Sequence, residues 1–426
     1  MKESFARLLR SILPTAWAKI LFDSYHRSLA FFGAIRYRHP SRELRVIAVT
    51  GTKGKSTVVE IVRAMLREGG FSVASASTIR FCIKEKCEPN LYKMTMVGRF
   101  FLQHFLRQAV EAGCDYAVIE MTSEGAVQFR HKGIDLDGLI FTNLAPEHLE
   151  SHGGMEAYAA AKLSLAAHLE ASPKHMRIIV ANAEDAYGAK FLATKVEMRV
   201  PFSLKDAQPY TVDDKGARFT WRGELFTSPL PGLFNLKNTL AALALCEALG
   251  IPRHALKRAV EKTAHIAGRA ERLERGQPFS VVVDYAHTPD SLRAIYETFT
   301  AGEGRRICVL GSTGGGRDTW KRPAMGNIAD KYCDIAFLTD EDPYDEDPRS
   351  IAEAVAKGFA RLTPQIVMDR REAIASALRE ARAGDAVLIT GKGTDPYIMR
   401  AKGEKESWSD RRVVEEELDK LLSSKK

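Results

Sequence analysis

The residues most ready for chemistry are Thr50-Gly51-Thr52-Lys53-Gly54-Lys55-Ser56-Thr57. They follow the apolar run at 45–49 and open a helical stretch at 56–68, so a strand leads into a glycine loop and then a helix N-terminus. Such a loop aims backbone N–H groups and the positive end of a helix at one point, which suits a phosphate. Lys55 is placed for terminal phosphates, and Ser56 or Thr57 offers a hydroxyl to Mg2+. Strict nucleotide-loop spacing would put a glycine at position 49, which is Val49; the first glycine is Gly51. An ordinary glycine-rich turn is the bland alternative, and the strand, the Gly-Lys-Ser-Thr run and the helix together weigh against it.

Further candidates follow in chain order. Glu120 ends an apolar run, His148 stands near the end of another, and Lys162 falls in a helical stretch at 155–171. A lone histidine is more often structural and a helical lysine more often solvated, but hard oxygen ligands after a phosphate loop suit Mg2+. Gly268-Arg269-Ala270-Glu271 sits at a junction, where an arginine adds charge only when a cleft closes. The glycine loop at 311–316 precedes Arg317 and Lys321, an anion-friendly combination. Glu341-Asp342-Pro343-Tyr344 runs into Asp345, Glu346 and Asp347, acids expected to draw a cationic side chain such as lysine or ornithine. The bland alternative is that they cap a helix beginning near Ser350.

Elements must position these groups. Unalternating apolar runs at 45–51, 72–77, 115–121, 138–144 and 177–183, separated by helices, predict a parallel sheet buried on both faces. A hairpin-like region is expected at 210–228, and a second alternating series at 279–286, 305–311, 335–340, 365–369 and 385–391. Two such sheets leave a cleft between them. The length of 426 residues fits two or three domains, and the 45% hydrophobic and 27% charged composition excludes a mainly disordered chain. Of the net charge of +8, residues 1–45 carry +6, so a reading as a nucleic-acid binder fails. Six scattered cysteines (Cys82, Cys87, Cys114, Cys246, Cys308, Cys333) lack a zinc spacing and read as reduced, hence cytoplasmic. The apolar stretch at 11–18 contains Pro14 and is too short for a signal peptide, and no uncharged run approaches the ~20 residues of a membrane span.

With these residues in view, the chain resembles the Mur ligases, most nearly those of the MurE type, from about residue 45 to residue 412. The likeness rests on Gly-Thr-x-Gly-Lys-Ser-Thr, on the Glu120, His148 and Lys162 segments, on Gly-Leu-Phe-Asn-Leu-Lys-Asn, on Gly268-Arg269-x-Glu271, on Asp-Tyr-Ala-His-Thr-Pro-Asp-Ser-Leu and on Gly-Lys-Gly-Thr-Asp. The resemblance implies an α/β fold: a P-loop parallel-sheet central ATPase domain at 45–267, a Rossmann-like C-terminal domain at 268–426, and a short helical arm at 1–44 in place of a UDP-binding domain. It implies an ADP-forming ligase that adds an amino acid to a muramoyl-peptide-like carboxylate through an acyl phosphate, with ATP and Mg2+. Gly51, Thr52, Gly54, Lys55, Ser56, Thr57, Asn235, Arg269, Asp284 and His287 would then hold the nucleotide, Asp284 at the ribose. Ser56, Glu120, His148 and a carbamylated Lys162 would hold metal. Thr95, Ser123, Gln128 and Arg130 would face the acceptor, and Arg317, Glu341, Asp342, Tyr344, Gly391 and Asp395 the amino acid. Catalysis would rest on Lys55, Lys162, His148 and Arg269.

Asn235 and Asn238 also read as helix caps. Glu124 stands where the MurE type has histidine, and Tyr344 where enzymes adding diaminopimelate have arginine. A folylpolyglutamate synthase-like enzyme, a lipid-linked amidating ligase and a lapsed nucleotide-binding regulator are the alternatives. The substrates expected are small molecules, with no nucleic acid and no assigned oligomeric state. For the basic arm, whose residues 7–35 are predicted as one or two amphipathic helices broken near Pro14, the readings left open are a helix packed on the ATP domain, or one lying on an anionic membrane or binding a partner.

Overall fold

The computed structural model describes residues 15–147, 149–300, 302, 304–316 and 318–423. The chain enters on a helix, α1 (Thr15–Arg36), so the break expected near Pro14 lies outside the described residues. It continues through β1 (Arg45–Thr50), α2 (Lys55–Glu68), β2 (Val73–Ala76), β3 (Arg80–Ile83), β4 (Lys86–Pro89), α3 (Arg99–Glu111), β5 (Tyr116–Glu120), β6 (Gly138–Phe141), α4 (Met155–Glu170), β7 (Ile178–Asn182) and β8 (Met198–Phe202). These eight strands form one sheet in the order β4-β3-β2-β5-β1-β6-β7-β8. Pairing from β2 to β8 is parallel, while β3 and β4 add an antiparallel edge hairpin. Strands β5, β6 and β7 are buried along their whole length, as runs covered on both faces must be. One apolar cluster fills the α2 side with Val58, Ile61 and Met65, and another the α3 side with Leu102, Phe105 and Leu106.

The region at 210–228 is a three-stranded antiparallel meander of β9 (Tyr210–Val212), β10 (Ala217–Trp221) and β11 (Glu224–Ser228). The buried helix α5 (Leu233–Ala248) follows. The second sheet comprises β12 (Glu271–Arg272), β13 (Ser280–Asp284), β14 (Arg306–Leu310), β15 (Ile335–Leu338), β16 (Gln365–Ile366) and β17 (Ala386–Thr390), in the order β12-β13-β17-β14-β15-β16. All its pairings are parallel except β12 with β13. A small hairpin of β18 (Tyr397–Met399) and β19 (Lys405–Ser407), not anticipated from the sequence, closes one end. Both sheets put the C-terminal ends of their strands toward the candidate residues, where α/β folds place ligands.

The reduced-cysteine reading is corrected. The structure joins Cys82 to Cys87 and Cys308 to Cys333 as disulfides, and leaves Cys114 and Cys246 free and buried. Register explains the first pair, because Cys82 and Cys87 stand directly opposite on β3 and β4. In the second, Cys333 ends a helix packed against β14, which brings it over Cys308. A search for zinc spacings is blind to both arrangements.

Candidate functional site

Gly51 (φ 146°) and Gly54 (φ 84°) give the phosphate loop its shape. A Cβ on Gly51 would lie 2.0 Å from Thr142 Oγ1, and one on Gly54 2.1 Å from Asn238 Oδ1, so no larger residue fits. The loop is tied to the end of β6: Thr52 N and Lys53 N donate to Asn143 O and Oδ1, at 2.8 and 2.9 Å, and Thr142 Oγ1 donates to Lys53 O at 2.7 Å. Thr57 lies buried in the first turn of α2.

Cations crowd this loop. Lys55 Nζ donates to Thr52 O at 2.9 Å and stands 3.8 Å from Glu120 Oε1. Lys162, from α4, is buried and donates to Gly51 O at 2.7 Å. Arg269, from the junction before β12, donates to Ser56 Oγ at 3.3 Å and lies over the Tyr285 ring, 4.4 Å from its centroid. Burial lowers the pKa of Lys55 and, with Lys55's charge beside it, drives that of Lys162 well down. Glu120 is the acid at their centre: its Oε2 accepts from Ser56 Oγ at 2.8 Å, Thr78 N at 2.9 Å and Thr78 Oγ1 at 3.0 Å. Lys55 and Arg269 around one carboxylate leave a surplus of positive charge that an anion would neutralise. The glycine cradle fits nucleotide phosphates, and Glu120 with Ser56 Oγ supplies the hard oxygens Mg2+ prefers. His148 lies outside the described residues, among which no cluster of three histidine, cysteine or acidic side chains forms a ready metal site.

A second layer spans the two sheets. Glu147, beside His148, accepts from Lys53 Nζ at 2.8 Å and meets His287 Nε2 at 3.1 Å. Burial pushes the His287 pKa down to about 4, leaving the ring neutral. Asp284 accepts from Ala270 N and Ala286 N, both at 2.6 Å, so its oxygens hold the Arg269 turn; burial raises its pKa. Asn235 donates to Pro231 O at 2.8 Å and accepts from Asn238 at 3.4 Å. The capping expectation is corrected: Gly232 is the N-cap of α5 without a side-chain bond, and Asn238 instead packs against Gly54.

The acceptor candidates gather along the same strand ends. Thr95 Oγ1 meets Thr78 Oγ1 at 2.8 Å, which connects it to Glu120. Ser123 Oγ meets His152 Nε2 at 3.1 Å. Arg130 is held by Gln128 Oε1 through Nε and Nη2, at 3.1 and 2.7 Å, and Arg99 donates to Gln128 O. Neither arginine has a carboxylate partner within ion-pair distance among the described residues.

The acid cluster differs from expectation because the chain supplies its own cations. Asp342 is 2.6 Å from Lys93 Nζ and 2.9 Å from Lys392 Nζ, and Asp395 lies 3.5 and 3.2 Å from the same two. Glu346 pairs with Arg322 at 2.8 Å, Asp345 accepts from Lys402 N at 2.7 Å, and Asp347 caps its helix through Ser350 N at 2.9 Å. Glu341 differs: its Oε1 accepts from Thr313 at 3.0 Å, its buried Oε2 has no partner, and burial raises its pKa. Gly391 (φ 112°) packs against it, since a Cβ there would lie 2.4 Å from Glu341 Oε2. Tyr344 sits at φ 53° against Gly315 and lines a cavity of about 510 Å3 with Arg400. Arg317 lies outside the described residues. Sequence reasoning missed Thr78, Lys93 and Lys392. Only Lys392 carried a signal, as a lysine between two glycines at a strand end.

Comparison with known proteins follows the same outline. Residues 49–246 match the Mur ligase middle domain and residues 268–393 the Mur ligase glutamate ligase domain. A UDP-N-acetylmuramoyl-L-alanyl-D-glutamate–2,6-diaminopimelate ligase of Syntrophomonas wolfei is 35% identical over 403 residues, covering 91% of this chain and 81% of that one. A UDP-N-acetylmuramyl-tripeptide synthetase of Roseiflexus is 36% identical over 398 residues, covering 87% and 78%. A solved diaminopimelate ligase of the first kind superposes with a TM-score of 0.60 at 30% identity, covering 89% of this chain and 79% of that one. The Mycobacterium tuberculosis folylpolyglutamate synthase has a TM-score of 0.69 at 16% identity, covering 87% and 93%, and shares the fold.

Proposed function

Because the chain belongs to the Mur ligase family of ATP-dependent, ADP-forming ligases, we propose that it joins an amino acid to a muramoyl-peptide-like carboxylate in peptidoglycan precursor synthesis. The supporting observation is the surplus of Lys55 and Arg269 over Glu120, with Lys162 on the Gly51 carbonyl, at a glycine loop shaped for phosphate. In the proposed reaction an acceptor carboxylate oxygen attacks the γ-phosphorus of ATP, giving an acyl phosphate and ADP. The amine then attacks the carbonyl carbon, the C–O bond to phosphate breaks, and the nitrogen gives up a proton. Lys55 and Arg269 face the charge that builds on the transferring oxygens, in a site where burial strengthens each interaction.

Glu120, Ser56 and His148 would hold Mg2+, which when bound would supply positive charge toward the phosphates. Lys162 suits carbamylation because the reaction with CO2 needs a free amine, and burial favours the neutral form. The resulting carboxylate would place a negative charge beside the loop where the amine had none.

Thr95, Ser123, Gln128 and Arg130 line the proposed acceptor path, and Asn235, Asp284 and His287 back the nucleotide. For the amino acid, Glu341 replaces the whole acid cluster as the proposed reader of an ammonium group, since among those acids it has a buried oxygen without a hydrogen-bond partner. A diamino acid such as lysine or ornithine remains the proposed nucleophile, to be tested against the diaminopimelate named in the relatives. The division at 44/45 and 267/268, and action in the cytoplasm where ATP is abundant, belong to the same proposal. The test is phosphate release with UDP-muramoyl-dipeptide and a panel of lysine, ornithine and diaminopimelate. No turnover with any of them defeats this acceptor class.

A further inference from the structure

The two readings of the N-terminal arm turn out to describe opposite faces of one helix. Ala30, Gly33 and Ala34 of α1 are buried against α3, where a Cβ on Gly33 would lie 3.6 Å from Gln103 and 3.8 Å from the Arg99 carbonyl and the Phe100 Cα. Small residues there let the two backbones approach closely. The opposite face carries Leu21, Tyr25, Phe32 and Ile35, at four-, seven- and three-residue steps that keep them in one stripe. Their exposures are 52%, 48%, 59% and 49%, and Phe31 beside them is 59% exposed. A soluble surface does not ordinarily keep such a stripe uncovered.

Charge says what covers it. Arg27 and Arg36 flank the stripe on its two sides, and Lys132 approaches Arg27 from the central sheet's loops. None of the three has an acid within ion-pair distance among the described residues. Arg27 and Lys132, with Phe31, Ala34, His39 and Gly133, line a cavity of about 290 Å3. Residues 1–14 continue the pattern in sequence, with Lys2, Arg7 and Arg10 against Glu3 and with Phe5, Leu8, Leu9 and Ile12. An apolar stripe between unpaired cations matches the acyl region and the phosphates of an anionic bilayer, whereas a second copy would bring the same cations together. No described helix is long and apolar enough to cross a membrane.

We propose that α1 docks this protein on an anionic membrane surface, with Leu21, Tyr25, Phe31, Phe32 and Ile35 in the interface and Arg27, Arg36 and Lys132 on lipid phosphates. The docking face lies near the acceptor candidates of the ligase reading. The partner helix α3 begins at Arg99, whose neighbour Arg130 is an acceptor candidate, so docking sets the acceptor path beside the bilayer.

The test is co-sedimentation of the full chain with vesicles of phosphatidylcholine alone or with 30% phosphatidylglycerol, in about 0.1 M salt. The expected result is at least tenfold stronger binding to the anionic vesicles. Arg27→Glu with Lys132→Glu should reduce it tenfold, as should Phe32→Glu with Ile35→Glu, while thermal unfolding stays unchanged. If the apolar pair unfolds the protein, the charge pair decides, because both its residues are exposed. Equal binding to both vesicles, no binding, or indifference to the charge reversals overturns the proposal. So does a dimer in solution that Phe32→Glu dissociates. Vesicle binding is read without ATP or acceptor, so its failure leaves the ligase reading standing, and failed turnover leaves the docking result standing.

Discussion

Replacing Lys93 by methionine tests the reading of the amino-acid side most sharply. Its ammonium sits 2.6 Å from Asp342 and 3.5 Å from Asp395, and its side chain is 14% exposed. At an effective dielectric of about 20, a contact near 2.6 Å is worth roughly 6 kcal/mol gross, most of which the cost of burying the charges offsets. Breaking a buried pair costs about 3–5 kcal/mol when the remaining charge is left alone. Here Lys392 still stands 2.9 and 3.2 Å from the two acids, so a cost at or just below the lower end of that range, about 2–3 kcal/mol, is expected. Because Lys93 precedes α3 while its acids follow β15 and β17, the loss falls on the junction between the two sheets. Lys93→Met should therefore lower the urea midpoint. It should also leave the acids one cation short, so the KM for lysine or ornithine falls relative to that for diaminopimelate. Unchanged stability together with an unchanged KM ratio would refute the claim that Lys93 occupies the charge a cationic substrate would otherwise fill.

Other expectations follow from single groups. His287, held to about 4 against roughly 6.5 in the unfolded chain, is neutral when folded, so the unfolded state takes up its proton first as pH falls. Stability should drop between pH 6.5 and 4, by about 3 kcal/mol from this group, and His287→Asn should flatten that part of the profile in urea titrations. If Lys162 is carbamylated, activity should fall in CO2-depleted buffer and return with bicarbonate, whereas Lys162→Ala should lose at least 100-fold in kcat without regaining it. Alkylation of the denatured chain should label two cysteines before reduction and six after it; six labels beforehand would contradict the two disulfides. Glu120→Gln should keep the fold but lower kcat at least 100-fold and weaken the response to Mg2+, with an unaltered Mg2+ response excluding it as a ligand.

Much of this was legible because it is written locally. Unalternating apolar runs gave β1, β5, β6 and β7, and a strand–glycine–helix string gave the loop that binds Lys55 and Lys162 around it. What escaped depends on contacts far apart in sequence. Lys93 lies 249 residues from Asp342, so the acids at 341–347 read as unpaired when most of them were already satisfied. Asn238 looked like a cap, but its side chain packs against Gly54, which lies 184 residues earlier at the start of the neighbouring helix α2. The disulfides followed strand register and helix docking, and the arm's two faces separated only once α3 showed which side it covers.

Phosphate release tests the central claim most directly, measured with ATP and Mg2+ while acceptor and amino acid are supplied singly and together. The account predicts little release with either alone and stoichiometric release of phosphate with amide formation when both are present, abolished by Lys55→Ala. Release that ignores both substrates, or amide formation that survives Lys55→Ala, would contradict it.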